Sequence, residues 1–129
     1  MPDDPVSPRV KKVLIVDDNP DIIRILKRAL EKEKYDISVA MDGEEALDKT
    51  IHDSPDLVIL DLSLPKLSGE EVCKAIRKNE KLQKVRIIIL TSRSGDVERI
   101  ICRVIGADCY MTKPCDLTEL LERARSFNA

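Results

Sequence analysis

Leu57-Val58-Ile59-Leu60-Asp61-Leu62-Ser63-Leu64-Pro65 is the stretch that decides the fold. An aliphatic quartet runs straight into an aspartate and then a loop that carries a proline. A strand with one wet face alternates apolar and polar residues, whereas a strand that is apolar throughout is buried on both faces. That situation arises in a parallel sheet covered by helices on both sides. The same signature recurs at Val13–Val16 and Ile87–Leu90, in a more polar form at Ile37–Ala40, and in a weaker fifth strand at Cys109–Met111.

Helical patterns separate these runs. Ile22, Leu26, Ala29 and Leu30 recur at helix spacing after Asn19-Pro20, where asparagine suits the cap and proline the first turn. Asp42-x-x-Glu45, Ser68-x-x-Glu71 and Asp116-x-x-Glu119 have the form of capping boxes. A further helix fits Asp96 to Ile105, closed by Gly106 as C-cap. The order is β-α repeated five times, with right-handed crossovers, which predicts a single doubly wound α/β domain. Residues 1–10 are expected to form a flexible, proline-rich tail, and residues 11–129 the domain.

Composition sets limits on function. A chain of 129 residues has room for one domain, and a net charge of −2 gives no general reason to expect nucleic acid. Lys74, Arg77, Lys78, Lys81, Lys84 and Arg86 read as the solvated face of a helix and its following loop. Tyr35, Tyr110 and Phe127 are the only aromatics, so the core must be aliphatic. Cys73, Cys102, Cys109 and Cys115 show no C-x-x-C pairing and no nearby histidines. They read as small buried apolar residues in a reducing compartment rather than zinc ligands. The opening MPDDPVSP has no signal-peptide core, and no aliphatic run approaches the ~20 residues of a membrane span. A cytoplasmic location without membrane attachment is therefore expected.

Ligands of such sheets bind outside the carboxyl ends of the strands. There the sequence places Asp17 and Asp18 after the first strand, Asp61 after the third, Thr91 at the fourth and Lys113-Pro114 after the fifth. Each taken singly is an ordinary loop residue, and Asp-Asp-Asn-Pro is a familiar turn. Their joint placement is what carries information. Carboxylates crowded at one edge repel one another unless a cation sits among them, and hard oxygen ligands select Mg2+ or a similar ion.

These pieces resemble the response regulator receiver family of two-component signalling, of the chemotaxis type. The matching motifs are Asp17-Asp18, Asp61 with Pro65 and Gly69, Thr91-Ser92, Gly106-Ala107 and Tyr110-x-x-Lys113-Pro114, within residues 12–125. The resemblance implies a flavodoxin-like (βα)5 fold with a five-stranded parallel sheet in the order 2-1-3-4-5. It implies a phosphorylation switch in which Asp61 accepts a phosphoryl group from a histidine kinase or phosphotransfer protein. Asp18, Asp61 and the Ser63 backbone carbonyl would bind Mg2+ (or Mn2+), with Asp17 acting through a water. Lys113 would pair with the phosphoryl oxygens, and Thr91 would hydrogen-bond one of them. Thr91 and Tyr110 would switch the surface of the fourth helix, fifth strand and fifth helix, which would address a downstream protein or effector domain. Homodimerisation on phosphorylation is also compatible with the resemblance; direct nucleic-acid binding by this chain is not expected. The protein would catalyse only its own phosphorylation and dephosphorylation and would not otherwise be an enzyme. Ser63 and Arg93 occupy positions that tune phosphoryl lifetime, and a long cationic Arg93 is expected to shield the group from water.

Two residues depart from the family pattern: Leu64 replaces a usual methionine and Cys115 a usual phenylalanine. Other readings fit less well. A haloacid dehalogenase-like phosphatase needs a second aspartate where Ser63 stands, and a dinucleotide-binding protein needs G-x-G-x-x-G after the first strand. A receiver used purely for binding does not require the full set Asp17, Asp18, Asp61, Thr91 and Lys113. His52, the sole histidine, lies near a helix C-terminus, where a cation complements the dipole. Asp108, Arg123 and Arg125 fit a dimerising face or plain surface charge equally well.

Overall fold

Aliphatic residues in succession point alternately to the two faces of a strand, and here both faces are dry. Leu14, Val16, Val58, Leu60, Ile87 and Ile89 enter one buried cluster; Val13, Ile15, Leu57, Ile59, Ile88 and Leu90 enter the other. The computed structural model describes residues 11–128; the tail expected over residues 1–10 lies outside the described residues. The order is β1 (Lys12–Val16), α1 (Pro20–Lys32), β2 (Asp36–Ala40), α2 (Gly43–Asp53), β3 (Leu57–Leu60), α3 (Gly69–Lys78), β4 (Arg86–Thr91), α4 (Asp96–Val104), β5 (Cys109–Thr112) and α5 (Leu117–Ser126). A single 3-10 turn, Glu80–Leu82, follows α3. All strand pairs are parallel, in the expected order β2-β1-β3-β4-β5.

Helices α1 and α5 cover one face with Ile23, Leu26, Leu30, Leu120 and Ala124. The other face receives Ala46 of α2, Val72, Cys73 and Ile76 of α3, and Cys102 of α4. Helix α4 is the least anchored: Cys102 is its one buried residue, whereas Val97, Ile100 and Val104 are exposed. It also lacks a side-chain cap, because Gly95 occupies the N-cap position. It ends one residue before the expected Ile105, with Gly106 beyond it at φ +102°, a conformation that suits glycine.

The capping patterns form with differing completeness. Ser68 and Glu71 make the full reciprocal box on α3. Asp42 accepts from the Glu45 amide at 2.8 Å, but the Glu45 carboxylate turns back one residue further, to the Met41 amide at 2.8 Å. Asp116 accepts from the Glu119 amide at 3.2 Å. The stretch Lys74–Arg86 is only partly a solvated face. The Arg77 guanidinium donates to the carbonyls of Gly106 and Val85, each at 2.7 Å, and to Asp108 at 2.9 Å. Arg77 thus staples α3 to the loops that flank β4 and β5, a role that needs partners invisible to local pattern.

Gly69 lies against the backbone of the third strand's exit: a Cβ there would stand 2.1 Å from the Asp61 carbonyl oxygen. Its amide also donates to the Leu62 carbonyl at 2.9 Å. The close approach leaves no room for a methyl group, so Gly69→Ala should destabilise the fold by about 1–3 kcal/mol. Urea denaturation measures this, and an unchanged midpoint would contradict the packing described.

Candidate functional site

Sheet register brings the charged strand ends together. Val16 pairs with Leu60, so Asp17 and Asp61 emerge side by side, and the Asp61 amide donates to the Val16 carbonyl at 3.0 Å. Thr91 pairs with Thr112, which sets Lys113 one residue past the same edge, its amide on the Thr91 carbonyl at 2.8 Å. The Lys113-Pro114 bond is cis.

Lys113 is the cation of the site. Its ammonium donates to Asp17 at 2.7 Å and to Asp61 at 3.1 Å. Both carboxylates are buried, at 2% and 6% relative exposure, and Thr91 is fully buried. Burial alone would lower the Lys113 ammonium, but the Asp17 hydrogen bond and the charges of Asp61 and Asp17 outweigh it and raise it above the ordinary lysine value. A raised folded-state value means that its stabilising contribution is complete at neutral pH and disappears only as pH climbs through strong alkali. The remaining carboxylate oxygens are met by backbone: Asp17 accepts from the Asn19 amide at 2.9 Å, and Asp61 from the Ser63 amide at 3.3 Å.

Asp17, Asp18 and Asp61 each offer an oxygen within 4.8 Å of the others, and Asp18 is exposed. Three carboxylates against one ammonium leave an excess of negative charge. At an effective dielectric constant of about 20, a like-charged pair ~5 Å apart costs on the order of 3 kcal/mol, and less where one member is exposed. All-oxygen donors with such a charge excess fit a hard divalent cation, so the cluster could hold a metal ion.

The structure therefore brings together Asp17, Asp18, Asp61 and Lys113, with Thr91 buried beside them at the end of β4. Ser63 is exposed on the loop after Asp61. Arg93 reaches across to Glu70 at the start of α3, its two terminal nitrogens 3.1 and 3.2 Å from the two carboxylate oxygens. Glu70 carried no signal in the sequence, since most of α3, the 3-10 turn and the whole of β4 separate the pair. The Arg93 amide donates to Thr91 Oγ1 at 3.3 Å, and the Arg93 carbonyl accepts from the Tyr110 hydroxyl. Tyr110 is half-buried, packed against the cluster under α4, with the Arg99 guanidinium 5.2 Å from its ring centre. Burial raises its phenol above the ordinary value, so it remains a donor.

Other residues singled out by the sequence settle into supporting parts. All four cysteines are free; Cys73 and Cys102 are buried as expected, whereas Cys109 and Cys115 are only half-buried at the second core's margin. Burial pushes the Cys73 thiol up to about 11, which leaves it unreactive near neutral pH. His52 lies exposed in the last turn of α2, its Nδ1 2.8 Å from the Asp48 carbonyl oxygen. Asp108 binds Arg77, Arg86 and the Ile87 amide, while Arg125 pairs with Glu33 and Arg123 with Glu119. No helix among the described residues is long and apolar enough to cross a membrane.

Comparison with known proteins agrees with this geometry. The family model "Response regulator receiver domain" matches residues 13–125. The alkaline phosphatase synthesis transcriptional regulatory protein PhoP of Bacillus subtilis is 41% identical over 116 residues, 90% of this chain and 48% of its own length. Response regulator ArlR of Staphylococcus saprophyticus is 40% identical over 89% of this chain and 51% of its own. The chain thus spans about half the length of the curated relatives it matches. Among solved structures, the Francisella response regulator 1452 receiver domain superposes with a TM-score of 0.86 at 31% identity, over 92% of this chain and 96% of that one.

Charge crowding makes a measurable prediction. Asp18→Asn should raise the melting temperature of the metal-free protein by about 4 °C, on the order of 1 kcal/mol. It should also remove most of the further rise that millimolar Mg2+ gives the parent protein. A fall in melting temperature, or an undiminished response to Mg2+, would contradict the crowding.

Proposed function

The chain belongs to the response regulator receiver family of two-component signalling, and from that premise we propose that Asp61 is its phosphoacceptor. The observation that carries this reading is the Asp61 carboxylate held at a strand end between a shared ammonium and two further carboxylates. In the transfer, an Asp61 oxygen attacks the phosphorus of a phosphohistidine on a histidine kinase or phosphotransfer protein. The P–O bond forms as the P–N bond breaks, and the electron pair leaves with the imidazole, which takes up a proton. Hydrolysis reverses the state: water attacks phosphorus, inorganic phosphate departs and the carboxylate is restored.

Mg2+ suits the all-oxygen cluster: Asp18, Asp61 and the Ser63 carbonyl would hold it, with Asp17 contributing through a water. When bound it neutralises charge that builds up on the phosphoryl oxygens. Lys113, already 3.1 Å from Asp61, is placed to follow those oxygens as they arrive. The Thr91 hydroxyl, buried at the neighbouring strand end, supplies a neutral donor. Arg93 and Ser63 flank the phosphoacceptor, and Arg93 restricts the approach of hydrolytic water. On this reading the protein turns over nothing but its own phosphoryl group.

Output runs through Thr91 and Tyr110 to α4, β5 and α5. Arg93 supports that route, since its amide meets Thr91 and its carbonyl meets Tyr110. Val97, Ile100, Ile101 and Val104 give α4 an apolar surface suited to a downstream protein, an effector domain or a second phosphorylated copy. The four free thiols favour the reducing cytoplasm. Nothing in the net charge of −2 calls for direct contact with nucleic acid.

Incubation with Mg2+ and a small phosphodonor should add one base-labile phosphate, seen by intact mass. Chelation of Mg2+ or Asp61→Asn should abolish it. Labelling that persists in Asp61→Asn would overturn the assignment.

A further inference from the structure

The Arg93 guanidinium has three anions within its electrostatic reach. Glu70 holds it by a forked pair of hydrogen bonds at 3.1 and 3.2 Å, and the charges of Glu98 and Asp61 act on it as well. Its third nitrogen, Nε, is buried without a hydrogen-bond partner, as is Oε2 of Glu98 on the adjoining first turn of α4. The guanidinium therefore sits in a half-satisfied arrangement in the unphosphorylated protein. Glu70 is itself free for this contact, because the capping box of α3 is made by Ser68 and Glu71. Its neighbour Gly69 is packed on the Asp61 carbonyl, which fixes where the Glu70 side chain starts relative to the phosphoacceptor.

We propose that Glu70 is a positioning residue that competes with the phosphoryl group for Arg93 and so shortens the phosphorylated state. The proposal rests on the assignment of Asp61 as phosphoacceptor and of Arg93 as its shield. A phosphoryl group on Asp61 brings roughly −1.5 to −2 charge and three acceptor oxygens. A planar guanidinium cannot present the same forked face to both Glu70 and that group. An Arg93 that turns its paired terminal nitrogens onto the phosphoryl therefore opens the Glu70 fork.

The test compares phosphoryl lifetimes in four proteins labelled with the same small phosphodonor: parent, Glu70→Gln, Arg93→Ala and the double variant. Glu70→Gln should lengthen the lifetime about two- to fivefold, the span expected when a partly exposed ion pair is removed. Arg93→Ala should shorten it, and in that background Glu70→Gln should have no effect. Glu70→Asp, which keeps the charge, should stay nearer the parent than Glu70→Gln does. Affinity for beryllofluoride, a phosphoryl mimic, should rise in Glu70→Gln by a similar factor, a readout that a purely structural role would not move.

A shorter or unchanged lifetime in Glu70→Gln, with Arg93→Ala still shortening it, overturns the competition and leaves the shield intact. Lengthening that persists in the Arg93→Ala background also overturns it, since Glu70 would then act on the phosphoryl directly. If Arg93→Ala leaves the lifetime unchanged or longer, the shield reading itself fails, and the competition with it. Absence of label in the parent removes the phosphoacceptor assignment on which both depend.

Discussion

One ammonium shared by two buried carboxylates is the constraint on which the rest of the site depends. Asp17 and Asp61 leave adjacent strands at paired positions, so the parallel sheet forces them together. Lys113, from the far side of β4, reaches both at 2.7 and 3.1 Å. Without that cation Asp17 and Asp61 would lose the ion pair they share, against a sheet whose aliphatic core holds their strands together. With it, one unit of charge is balanced and the remainder stays available to a divalent cation. The exposed Asp18 adds a third like charge to this anionic pocket.

From this pocket two routes lead outward. One is tightly tied: Gly69 abuts the Asp61 carbonyl, and Arg77 staples α3 to Val85, Gly106 and Asp108. The other is loose. Helix α4 has one buried residue and no side-chain cap, and Arg93 joins its approach loop to Thr91 and Tyr110 by hydrogen bonds. Few buried contacts mean a low cost of rearrangement.

Much of this was legible in the chain because two patterns are local. Uninterrupted aliphatic quartets declared the three central strands, and acidic residues at their ends marked one sheet edge. The edge strands β2 and β5 were fainter because each is covered less: the residues of β2 before Ala40 are half-exposed or exposed, and only Met111 of β5 is buried. Long-range pairings left no trace. Arg77 read as surface charge because its acceptors are backbone carbonyls on distant loops. Glu70 drew no reading at all, because Arg93 meets it only after the rest of α3 and the whole of β4 have intervened. Cys109 and Cys115 read as core residues, whereas the margin of the second cluster leaves them half-covered.

The most direct measurement maps the phosphorylated residue. Labelled protein treated with sodium borohydride converts an aspartyl phosphate to homoserine, and tandem mass spectrometry of its peptides locates the change. Homoserine at position 61 alone, formed only when Mg2+ is supplied, is the expected result. Conversion at Asp17 or Asp18, or phosphate retained on His52, would contradict the assignment of Asp61 as the acceptor.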